Sequence, residues 1–152
     1  MPSTRRLLAL ATFFIATCAA TTPVSAIVRC EMNGKPVNTA NGNETAGLTG
    51  LMRCRETATG HLQREYEMQG GKTVGLERRF DDQGRLARER RVNERGNTQG
   101  ADKTYWSNGR LKTEEVANNG QTEGLKKRYF EGGALEDLLF YVQGQEVFAM
   151  AY

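Results

Sequence analysis

GLERRFDDQGRLARERRVNERGNTQ (residues 75–99) runs directly into GADKTYWSNGRLKTEEVANNGQTE (100–123), and the two stretches are one unit written twice. Each begins with Gly, has an aromatic residue five positions on (Phe80, Tyr105), Gly nine on (Gly84, Gly109) and Leu eleven on (Leu86, Leu111). The next stretch, GLKKRYFEGGALEDLLFYVQGQEV (124–147), keeps the pattern with Tyr129, Gly133 and Leu135. The preceding one, GLMRCRETATGHLQREYEMQGGKTV (50–74), has one extra residue before Gly60 and Leu62 and carries Cys54 and Arg55 where the aromatic would fall. Four copies of 24 or 25 residues therefore account for most of the chain, the first being a variant end copy.

Each unit reads as a β-hairpin. About five residues with an aromatic end precede a Gly-containing turn such as Ser107-Asn108-Gly109, and a second run starts at Leu. A further turn closes each unit, at Gly70-Gly71, Arg95-Gly96-Asn97, Asn119-Gly120 and Gln143-Gly144. In the second strand Leu62, Leu86, Leu111 and Leu135 are each followed six residues later by Met68, Val92, Ala117 or Tyr141. By strict alternation these share one face, while Glu65, Glu89 and Glu114 face the other way. One hairpin is marginal in water, but hairpins joined edge to edge form a continuous sheet with an apolar face. The expected fold is all-β: an elongated antiparallel β-meander of repeated hairpins.

Upstream, residues 27–49 read as an N-terminal hairpin and loop. Asn33-Gly34-Lys35-Pro36 supplies the hairpin turn, and the polar stretch 38–49 the loop. Residues 50–152 hold the repeats (about 50–74, 75–99, 100–123 and 124–147) with an apolar C-terminal tail. Residues 1–26 have the three zones of an export signal: Arg5 and Arg6, the apolar run Leu7 to Ala20, and a small-residue end at Val24-Ser25-Ala26. Cleavage after Ala26 and a periplasmic or secreted bacterial protein are expected. A lipoprotein anchored through Cys18 is the less favoured alternative, because Thr17 and Ile15 fit a lipobox poorly. Cys30 and Cys54 then remain as an even pair in an exported chain, and a disulfide is the default.

From residue 27 onward 19 Lys and Arg meet 18 Asp and Glu, a near balance that gives no reason to expect nucleic acid as a partner. The charge is uneven along the chain: residues 72–112 are net basic and 113–152 net acidic. The same region contains one His (His61), one Ser (Ser107) and two Cys. A Ser-His triad or a His-rich metal site would need every one of these in place. Carboxylates adjacent along a strand, such as Glu114 and Glu115, face opposite sides and do not converge. No catalytic residues, metal site or cofactor are expected, and the chain reads as a non-enzymatic binding protein. Arg78, Arg88 and Arg90 in the basic centre suit carboxylate or phosphate contacts. Trp106 and Phe130, next to the repeating aromatic, are candidate exposed anchors for a protein partner. The tail Val147 to Tyr152 forms either a well-buried end strand, the favoured reading, or an exposed edge.

Gly100-Ala-Asp-Lys-Thr-Tyr105-Trp106-Ser-Asn108-Gly109-Arg-Leu111-Lys-Thr-Glu114 resembles the unit of the variant MORN repeats, also known as YwqK-type antitoxin repeats. The resemblance extends from about Gly50 to Val147. It implies an interaction scaffold without catalytic residues, in particular an exported immunity or accessory protein for a secreted toxic enzyme such as a phospholipase. The alternative it leaves open is a membrane-surface or cell-envelope binding module with weak lipid contact.

Overall fold

The computed structural model describes residues 27–152; the expected export signal, its cleavage point and Cys18 lie outside the described residues. Twelve strands form one sheet. A starting hairpin, β1 (Val28–Met32) and β2 (Lys35–Val37), turns through Asn33 and Gly34, both at positive φ. The repeats follow as β3 (Gly50–Glu56) with β4 (Leu62–Gln69), β5 (Lys72–Phe80) with β6 (Leu86–Val92), and β7 (Thr98–Tyr105) with β8 (Leu111–Asn118). The short β9 (Gln121–Thr122), β10 (Gly124–Tyr129), β11 (Leu135–Val142) and β12 (Gln145–Ala151) complete the sheet.

The order across the sheet is β12-β11-β10-β8-β7-β6-β5-β4-β3-β1-β2, all antiparallel, with β9 pairing β8 off this path. From β3 onward it is the expected meander of hairpins. The N-terminal end departs from it, because β1 rather than β2 pairs with β3. The connection 38–49, read from sequence as a polar loop, carries the short helix α1 (Gly42–Thr45), capped by the Asn41 side chain accepting the Asn43 N–H. This connection brings the chain back so that β1 lies between β2 and β3. Cys30 then stands directly opposite Cys54, and the two form a disulfide. A structural disulfide is compatible with a compartment outside the cytoplasm.

In an antiparallel sheet, opposed residues share a face and neighbours along a strand alternate. The pairings therefore sort the side chains into two faces. Among the described residues one face holds every buried side chain: Met32, Met52, Cys54, Met68, Val92, Ala117 and Leu139, together with Glu77, Thr98, Asp102 and Asp137, Met52 alone being fully enclosed. We call it the inner face. Among the described residues no second layer covers it, so these side chains are shielded by one another as the sheet twists, and by the 38–49 segment, whose Leu48 packs on the cluster of Met32, Met52, Cys54 and Met68.

Each hairpin carries a β-bulge just after its turn. Arg79 faces Arg88 but Phe80 faces Leu86; Thr104 faces Thr113 but Tyr105 faces Leu111; Arg128 faces Asp137 but Tyr129 faces Leu135. The extra residue (Ala87, Lys112, Glu136) reverses the alternation. Leu86 and Val92 therefore lie on opposite faces, whereas Leu86 and Glu89 share one, contrary to the reading by strict alternation. Phe80, Tyr105 and Tyr129 correspondingly sit half-buried against their Leu partners on the outer face, away from the core. The first Gly of each unit stands on the inner face opposite the residue that closes it, as Gly50 with Met68, Gly75 with Val92, Gly100 with Ala117 and Gly124 with Tyr141. This is the structural meaning of the repeat.

The C-terminal tail is a correction. β12 pairs with β11 around a bulge at Val147, but every residue in it is exposed, because none of the described residues packs beyond it on either face or along its free edge.

Candidate partner-binding surface

Two ionic systems run across the sheet, one on each face. On the outer face a directly paired row alternates in sign over eight strands: Glu31, Arg53, Glu65, Arg78, Glu89, Lys103, Glu114 and Lys127. Arg53 donates to Glu65 at 2.9 Å, and Arg78 bridges Glu65 at 3.0 Å and Glu89 at 2.6 Å. Opposite charges on facing strands are the sheet's counterpart of helix i,i+4 pairs. The row is a solvated stabilising ladder, and it binds both sides of Arg78.

The inner face is different. Arg64, Arg79 and Arg88 stand in one row, each directly opposite the next, on β4, β5 and β6. Beside this row Tyr66, Glu77, Arg90 and Asp102 form a second. Glu77 is shared: it accepts from Nε of Arg79 at 3.0 Å and from Nη2 of Arg90 at 2.7 Å. Asp102 accepts a bidentate pair from Arg88. Burial pushes the Glu77 carboxyl up, but the bonds and charges of Arg90 and Arg79 together outweigh this and hold it below the usual carboxylate range. Burial pushes the Tyr66 phenol up. Arg64 forms no ion pair among the described residues. It lines a cleft of about 280 Å³ together with Tyr66, Thr73, Glu77, Arg90, Val92 and Gly96.

The five residues named from sequence do not form one site. Arg90 lines the inner-face cleft but is nearly covered, with its side chain 20% exposed, whereas Arg88 lies on the same face in the row opposite Arg79 and not in the cleft lining. Arg78 is on the opposite face within the ladder. Trp106 is half-buried rather than free: its indole N–H donates to the Tyr129 carbonyl at 3.0 Å and the Lys112 ammonium lies over its ring. That contact tethers the turn of the third repeat to the fourth. Phe130 is exposed on the next turn. Sequence reasoning missed Arg64, which sits outside the basic centre and joins Arg79 only through the β4–β5 register. The symmetry of Arg79 and Arg88 about their turn was a usable signal.

His61 donates from Nδ1 to the Asp82 carbonyl at 2.7 Å, joining two turns. Asp137 is held by Arg128 and Glu115 by Lys126. Among the described residues no group of three or more His, Cys, Asp or Glu side chains is placed to hold a metal ion. No known family model matches the chain, and no curated protein matches it.

Proposed function

We propose that the chain is an exported, non-enzymatic repeat protein of the variant MORN type that binds an acidic surface of a partner protein, as an immunity or accessory protein for a secreted toxic enzyme. The observation that carries this reading is the row Arg64, Arg79 and Arg88. Like charges directly opposed across strands destabilise a sheet, and the internal carboxylates neutralise only part of this row. Arg79 and Arg88 keep 52% and 39% of their side chains exposed, so a second anion has access to them. Arg supplies bidentate carboxylate contacts and is enriched at interfaces. The Gly-aromatic-Gly-Leu unit supports the repeat assignment, and the Cys30–Cys54 disulfide together with the signal-like first 26 residues supports export. Inhibition would be steric, with the inner face covering the acidic mouth of the enzyme.

The test is capture from periplasmic extract with the native protein and with Arg64→Glu/Arg79→Glu, each washed at high salt. A stoichiometric secreted enzyme held by the native protein, inhibited by it, and lost from the variant supports the reading. No partner, or a partner retained equally by both, sinks it. Binding only to anionic vesicles, abolished by salt, would move the arginine row to the envelope-binding alternative.

A further inference from the structure

The two edges of the sheet are built differently. The β2 edge is three residues long, begins with Lys35 and has Pro36, which lacks an N–H, at its centre. Short length, Lys and Pro are the usual guards against strand pairing. The β12 edge is seven residues long, and its last part, Val147 to Tyr152, contains no charged side chain, no Pro and no Gly. The Tyr152 N–H donates to the Glu136 carbonyl at 3.0 Å. In the alternating pattern this turns the backbone groups of Phe148 and Met150 toward β11 and leaves those of Ala149 and Ala151 facing away from the sheet.

The outer face at this end is apolar. Leu125 faces Phe140, which faces Phe148, while Leu138 faces Met150; here the charged ladder stops. Leu125, Phe148, Met150 and Tyr152 are 51%, 52%, 45% and 66% exposed.

We propose that β12 pairs antiparallel with β12 of a second copy of this chain, about a two-fold axis at Met150. In that register Ala149 faces the second copy's Ala151 and Ala151 its Ala149, so the outward backbone groups of both residues are hydrogen-bonded. Met150 faces its own counterpart, and Phe148 faces Tyr152 on both sides of the axis. The apolar rows then run unbroken across the junction, and no charged side chain falls within it. The guarded β2 edge offers no partner for β12, so head-to-tail growth is blocked and the assembly closes as an isologous dimer. The interface is separate from the arginine row and does not depend on its role.

The experiment is sedimentation equilibrium of protein purified from the periplasm of cells expressing the full coding chain. The native protein is expected at the mass of two chains. Met150→Lys and Met150→Glu each place like charges opposite one another and are expected as monomers, while their equimolar mixture regains the dimer. Ala149→Pro removes an outward N–H and is expected as a monomer that keeps the native β-sheet circular dichroism spectrum, which separates loss of pairing from loss of folding. A monomeric native protein, an assembly that grows with concentration, or a dimer that persists in both Met150 variants would overturn the proposal.

Discussion

At Gly75 a Cβ would stand 2.0 Å from Oε2 of Glu67, the oxygen that accepts the Leu76 N–H at 2.9 Å, and φ is +103°. Gly100, its counterpart one repeat on, has φ +91° but open space around a Cβ. Both alanine variants bear backbone strain of about 1–3 kcal/mol; Gly75→Ala also displaces a carboxylate from a backbone amide. Its thermal midpoint is expected to fall further than that of Gly100→Ala, by differential scanning calorimetry. Ionisable residues set a second expectation at this scale. The Arg128 guanidinium holds the Asp137 carboxyl below its ordinary value, and paired guanidinium groups outweigh burial to do the same at Glu77 and Glu65. A carboxylate with a lowered folded-state value stabilises above its unfolded value and loses that contribution as pH falls through the folded value. Stability in urea is therefore expected to be flat from neutral pH down to about 5 and to fall below roughly pH 4, where unfolded carboxyls titrate. Glu77→Gln should lose stability at neutral pH and show a shallower acid slope.

The unit of this molecule is a bulged hairpin, and its legibility in sequence was uneven for a physical reason. Glycines spaced by 24 or 25 residues marked the turns and hence the strands. The bulge residue carries no such mark, since Ala87, Lys112 and Glu136 have nothing in common. Without it, the face of every side chain beyond the turn was inverted, and the arginine row and the charged ladder stayed hidden. The placement of β1 was equally unreadable, because a polar linker such as 38–49 does not declare which strand it returns to. The disulfide was legible from cysteine arithmetic alone, and register then explains it. The ladder gives the prediction at this scale. Arg78→Glu would set three carboxylates side by side on β4, β5 and β6, and is expected to cost about 1–2 kcal/mol from two reversed cross-strand pairs. Added salt should recover part of the loss, in chemical denaturation at low and high ionic strength.

For the molecule as a whole, stability rests on pairing between strands adjacent in the sheet, with a small buried cluster at the N-terminal end. The Cys30–Cys54 disulfide closes a loop with a sequence separation of 24 across that cluster. Reduction, or Cys30→Ser/Cys54→Ser, is expected to lower unfolding free energy by about 3 kcal/mol in the chain-entropy account, measured by urea denaturation with and without reductant. The insertion of β1 between β2 and β3 also bears on the order in which the chain assembles. Every strand from β4 to β12 adds to one already laid down close by in sequence, so contact order is low and zippering is fast. The first hairpin alone must wait for a later segment to give it a berth. A polypeptide emerging N-terminus first thus completes its anchor when β3 appears, and from then on grows in one direction, each newly delivered strand finding a template already in place.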